Sequence, residues 1–145
     1  MSTSIVEEFL TAATAALAAH RCGQPDATER LRASVAAYTG NFLEDDVHQH
    51  WATPLAEEVR ATRIALLRAL AARLRQTGDI DEAILYLLRL LGQDPFGEQA
   101  HLDLVNIQLE AGHLGEERRH YDMYVKRMKE IDVHPQPLSE EWRRK

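Results

Sequence analysis

Apolar residues between Pro54 and about Gln76 return at Leu55, Val59, Leu66, Leu70 and Leu74, with Leu67 and Ala71 widening the stripe. Steps of four and seven place them on one face of an α-helix, and the width of that face predicts cover from more than one side. The segment Ala83 to Leu91 is apolar almost all round, which in a soluble helix predicts burial between neighbours. No stretch alternates apolar and polar residues for long, β-branched residues are sparse, and Ala and Leu dominate the periodic segments. Strand signals are therefore nearly absent, and the predicted fold class is all-α.

Helix boundaries are marked by short oxygen-bearing side chains followed three residues later by Glu or Gln, a pairing that satisfies the orphan amides of a first turn. Ser4 with Glu7 predicts a helix to about His20, and Asp26 with Glu29 one to about Tyr38. Asp46 with Gln49 suits a short turn, and Asp79 with Glu82 opens a later helix. At Thr53-Pro54 the threonine would cap, with Pro54 in the first helical position, where its missing N–H is no loss. Gly23, Gly40, Gly78 and Gly112 fit helix stops.

Gly78-Asp79-Ile80-Asp81-Glu82 has a counterpart in Gly112-His113-Leu114-Gly115-Glu116, 34 residues on, and this is the period of the tetratricopeptide repeat. With Ala83 as the small residue at the helix crossing, Leu67, Leu70 and Leu74 fall at first-helix core positions. Leu87 and Leu90 then fall in the second helix, and Pro95 on the terminating proline. The next copy keeps Leu104, Gly112, Tyr121 and Tyr124 but has Glu117 at the small position and Lys129 in place of the proline. Ile5–His20 with Asp26–Tyr38 repeats the hairpin plan without the exact period. The expectation is a tetratricopeptide-repeat-like array of about three antiparallel helical hairpins, one domain over residues 1–138 with a charged tail at 139–145.

Composition narrows the function classes. The 145 residues are 45% hydrophobic and 28% charged, as in a folded domain, and carry a net charge of −6. Excess acid argues against general affinity for nucleic acid or anionic lipid, which relies on clustered Lys and Arg. The lone Cys22 cannot form an intramolecular disulfide and suits a reducing compartment. Glu7 and Glu8 stand where a signal peptide would carry basic residues, and Arg68 and Arg73 interrupt the most apolar run. Neither export nor a membrane span is expected, and the cytoplasm is the expected location.

The stretch Tyr38-Thr39-Gly40-Asn41-Phe42-Leu43-Glu44-Asp45-Asp46, then Trp51 and Glu57-Glu58-Val59-Arg60, has a distinctive order of parts. Gly78-Asp79-Ile80-Asp81-Glu82-Ala83, Gln93-Asp94-Pro95 and Val133-His134-Pro135-Gln136-Pro137 continue it. From about Ile5 to Leu138 this order resembles the bacterial transcriptional activator domain of SARP-type antibiotic-pathway regulators. Asn41 stands where that family often has Asp, and Asp132 where it often has Gly. The resemblance implies a regulatory helical-repeat module. In such regulators a winged-helix DNA-binding domain normally precedes this one, so DNA binding is not carried over to the chain itself.

Candidate chemistry is sparse. Arg60, Arg63, Arg68, Arg73 and Arg75 spread around their helix rather than forming a stripe, so most should lay their stems on the core with heads in water or near acids. In the repeat register Arg68 and Arg75 would line a concave face, joined by Gln99, Leu102 and Asn106, and could grip carboxylates or backbone of a peptide. A second candidate interface is Tyr121, Tyr124 and Met128 on the last helix, with Trp142 in the tail, covered by the tail or by a second chain. Glu44, Asp45, Asp46, His48 and His50 group possible ligands at no known metal spacing. His20 with Cys22 lacks an orienting third group for nucleophilic catalysis. His113 and His120, seven apart, suit the surface of an interaction helix, while Phe42 and Trp51 suit anchors of the connecting segment. No catalytic residue, metal or cofactor is expected. The expected partner is a protein, or a second copy of the chain. Alternatives are an adaptor unrelated to transcription and, from another class, a small helical enzyme.

Overall fold

The computed structural model describes residues 2–38 and 53–138, and every regular element there is a helix. In chain order these are α1 (Ser2–Arg21), α2 (Ala27–Tyr38), α3 (Thr53–Gln76), α4 (Ile80–Gln93), α5 (Glu98–Glu110) and α6 (Leu114–Glu130). The all-α expectation is met. The pairs α1–α2 and α5–α6 are each joined by a short turn and pack along one another as antiparallel hairpins. By its contacts the chain divides into two compact units, Met1–Asp79 and Ile80–Lys145.

In the first unit α1, α2 and α3 each pack on the other two. Val6, Phe9, Ala13, Ala16 and Ala19 form the buried stripe of α1, at steps of three and four. From α2 come Ala27, Leu31 and Val35, and from α3 Val59, Leu66, Leu67, Leu70, Ala71 and Leu74. The predicted α3 face is therefore the buried one, apart from the half-buried Leu55. Arg73 departs from expectation: its Nε donates to Thr28 Oγ1 at 2.9 Å and its Nη2 to the Gln24 carbonyl at 3.1 Å. It ties the end of α3 to the α1–α2 turn and the start of α2.

In the second unit α4 packs on α5 and α5 on α6. Residues Ala83, Tyr86, Leu87, Leu90 and Leu91 are buried, at steps of three, one, three and one. Leu85 and Leu88 lie off that face and are each 43% exposed. The expectation that α4 is buried all round is thus corrected: an apolar composition does not specify on how many sides neighbours stand. Glu117, His120, Tyr124 and Met128 form the buried face of α6.

Three helix ends show why the repeat spacing is visible. Gly78 and Gly112 adopt φ of +86° and +80°, a left-handed conformation that a Cβ disfavours. Past them, the Asp79 N–H donates to the Leu74 carbonyl at 2.8 Å and the His113 N–H to the Gln108 carbonyl at 2.9 Å. Both turns thereby satisfy carbonyls of the helix that ends there. At the end of α6 the same closure recurs, Val133 N–H to the Met128 carbonyl at 2.9 Å, but the left-handed residue is Asp132 at φ 58°. This is the position at which glycine is often found in the family that the chain resembles.

The helix starts agree less closely. α1 begins at Ser2, so Ser4 lies within its first turn rather than before it. α2 begins directly after Asp26, whose carboxylate receives Arg30 Nε at 2.8 Å, and α3 begins at Thr53 with Pro54 in its first turn. Gly40, the Asp46–Gln49 turn, Phe42 and Trp51 lie outside the described residues.

Candidate partner-binding site

The five residues expected on a concave face fall into two sets, one in each unit. On α3, Arg68 is exposed and Arg75 half-buried, and their separation of seven residues puts them on one side of the helix. On α5, Gln99, Leu102 and Asn106 are three and four residues apart, with Gln99 and Asn106 exposed and Leu102 half-buried. They share a stripe. Gln99 Nε2 donates to Asp103 Oδ1 at 2.8 Å, so an acid that sequence reasoning did not single out sits beside the amide.

On the last helix, Tyr124 and Met128 are fully buried and Tyr121 is half-buried. The chain's own C-terminal segment accounts for part of this. The Tyr124 hydroxyl donates to Glu98 Oε2 at 2.7 Å and accepts the Gln136 N–H at 2.7 Å. The Tyr121 hydroxyl donates to the Gln136 carbonyl at 2.8 Å. Two tyrosines one turn apart thus hold both backbone groups of one residue. Gln136 lies between Pro135 and Pro137, and a residue before proline is driven toward extended backbone, which turns N–H and C=O outward for such a clamp. Burial, reinforced by Glu98, pushes the Tyr124 hydroxyl up to about 12, against the opposing pull of the Gln136 N–H. It therefore remains a neutral donor. Neither Tyr124 nor Met128 is open to a partner, and Trp142 lies outside the described residues.

Beneath the clamp is a polar core that the sequence did not disclose. His101 Nε2 lies 2.7 Å from the Pro95 carbonyl, and its ring stands 5.8 Å from that of Tyr124. His120 Nδ1 lies 2.7 Å from Gln108 Oε1. His113 is exposed at the start of α6, whereas His120 is buried. The expectation of two surface histidines is therefore corrected for His120, whose helical position faces the core. Burial holds its pKa below the usual 6.5, with Arg119 and His101 adding and Glu116 opposing. Cys22 is exposed. Among the described residues no three His, Cys, Asp or Glu side chains are grouped to hold a metal ion, and the region of His48 and His50 lies outside them. No helix among the described residues is long and apolar enough to cross a membrane.

Glycine-closed turns, antiparallel hairpins and a 34-residue spacing together define a tetratricopeptide-like helical module. Over residues 6–145 the chain matches the model of the bacterial transcriptional activator domain, and it belongs to that family. No curated protein and no solved structure matches it.

Proposed function

We propose that the chain serves a bacterial transcriptional activator as a non-enzymatic module that binds a protein partner or its own copy in the cytoplasm. Family membership supplies the regulatory setting. The observation that carries the binding role is the pair Arg68 and Arg75 on one side of α3, with Arg68 exposed. Their sign favours an acidic or carboxylate-ended segment, each desolvated charge-assisted bond contributing about 1–3 kcal/mol. Gln99 and Asn106 offer separate polar side chains on α5 for backbone contacts, with the apolar Leu102 between them. DNA recognition is not assigned to this chain, whose net charge is −6.

The test is calorimetric titration with a synthetic acidic peptide ending in a free carboxylate. Arg68→Glu/Arg75→Glu should weaken binding by about tenfold or more, at 1.4 kcal/mol per tenfold, with the helical circular dichroism spectrum retained. Light scattering on the wild type and on a chain ending at Pro137 separates self-association from peptide binding. Unchanged affinity in the double variant contradicts the assignment of the arginines.

A further inference from the structure

Past the end of α6 at Glu130 the chain turns back along the helix, and this strap is fixed at two points. The turn is closed by the Val133 N–H, which donates to the Met128 carbonyl at 2.9 Å. The clamp is closed by the Gln136 N–H to the Tyr124 hydroxyl at 2.7 Å and by the Tyr121 hydroxyl to the Gln136 carbonyl at 2.8 Å. Between these points the strap is not packed down. An open hollow of about 390 Å³ is lined by Lys129, Asp132, Val133, His134 and Pro135, and Asp132, Val133 and His134 are all exposed. Two features of the turn itself work against it. Asp132 holds a φ of 58°, a conformation that costs a residue with a Cβ more than it costs glycine. Ile131 and Val133, both apolar, leave 42% and 37% of their surface in water.

We propose that two copies of the chain exchange these straps, so that Tyr121 and Tyr124 of one copy hold Gln136 of the other. The proposal rests on the part of the proposed function that allows a second copy. It uses a surface other than Arg68 and Arg75, so failure here and failure of the peptide titration on α3 are separate results. The clamp reads backbone: it takes an extended residue between two prolines, which every copy supplies as Pro135-Gln136-Pro137. In the exchanged pair the same hydroxyls meet the same backbone groups, and only the turn differs from the closed form. Exchange therefore relieves the left-handed residue twice, once per chain, and strained hinges favour it for that reason. It also lets Ile131 and Val133 of the two copies cover one another where the straps cross. Reach permits it, because the residues from Glu130 to Gln136 span up to about 20 Å when extended, and two packed helices stand about 8–10 Å apart.

Light scattering of the full chain over a range of concentrations tests the exchange. The wild type should show a concentration-dependent dimer, and Asp132→Gly, which eases the left-handed turn, should raise the dissociation constant by about threefold to tenfold. Asp132→Pro fixes φ at about −65° and forbids the turn, so it should be dimeric throughout. In a mixture of ¹⁵N-labelled and ¹³C-labelled Asp132→Pro chains, nuclear Overhauser contacts should join the Tyr121 and Tyr124 rings of one copy to Pro135 and Pro137 of the other. Gln136→Pro removes the N–H that the clamp needs and keeps the strap extended. Added to Asp132→Pro it should weaken the dimer about tenfold, one hydrogen bond being lost per copy, whereas Gln136→Ala should not, since that side chain is exposed. The proposal is overturned if Asp132→Pro is monomeric with its helical circular dichroism intact, if its dimer shows no contact between the tyrosines and the second copy's strap, or if Gln136→Pro leaves that dimer unchanged. Should Asp132→Pro lose helicity, the wild type against Asp132→Gly decides: a wild type that is monomeric at every concentration, or equal dissociation constants, contradicts the exchange.

Discussion

The two units build the same hairpin plan from different interiors. The core of the first is apolar, with alanines spacing α1 and α2, and Ser34 is its single buried polar residue among those described. The second buries His101, Gln108, Glu117 and His120 beside Tyr124. The contrast is sharpest at two positions 34 residues apart, Ala83 and Glu117, both 0% exposed. A small residue lets two helices meet at one of them, and a carboxylic side chain fills the equivalent position at the other. Hairpin geometry therefore does not dictate interior chemistry. Alanine spacing makes a unit less sensitive to pH but intolerant of added volume, whereas a polar interior ties stability to protonation and to individual hydrogen bonds.

The largest effect should come from overfilling. Ala16→Trp in the first unit and Ala83→Trp in the second should each destabilise by roughly 1–3 kcal/mol or more, read as lost amide-exchange protection in the affected unit. Lys126→Ala, on an exposed position of α6, should stay within about 0.5 kcal/mol. Equal protection in all three variants would remove the repeat register. Next comes the clamp. Glu98 would pass on sequence alone for a surface residue of a first turn, but it accepts the Tyr124 hydroxyl. Glu98→Ala and Tyr124→Phe should each cost about 1–2 kcal/mol, with earlier proteolysis of the segment around Gln136.

Legibility followed the same division. The ends of α1, α3 and α5 could be read because Gly23, Gly78 and Gly112 are the residues a left-handed cap requires, and the α3 face because its leucines keep one period. What could not be read depends on partners without a sequence signature. Leu85 and Leu88 are as apolar as Leu87 and Leu90, and only the placement of neighbours distinguishes them. The clamp uses the backbone of Gln136, and only its flanking prolines hint at it. Arg68 and Arg75 could be placed on one side of α3 from spacing, while Asp103, which occupies the Gln99 amide, became visible only in the folded chain.

A smaller effect should appear with acid. The folded pKa of His120 is held below the usual 6.5, so the unfolded chain binds the proton more readily. The contribution is fully present above that value and is lost as pH falls from 6.5 through the lowered folded value. Amide protection in α5 and α6 should therefore decline between neutral pH and pH 5, and His120→Gln should flatten the decline. His20, in the first unit, is also lowered, by burial and by Arg73 and Arg21, but it is half-buried and should contribute less. A steeper loss in α1 and α2 than in α6 would invert the comparison. Smallest is a gain: Asp132 holds φ 58°, and Asp132→Gly should raise stability by about 0.5–1 kcal/mol through relief of the left-handed strain, seen as a higher melting temperature.

Partner binding through α3 is most directly tested by titrating the acidic, carboxylate-ended peptide into ¹⁵N-labelled chain and following the amide shifts. The expected result is perturbation centred on Arg68 and Arg75, with α6 unmoved and the response absent in Arg68→Glu/Arg75→Glu. Shifts confined to α6, or an identical response in the double variant, would contradict it.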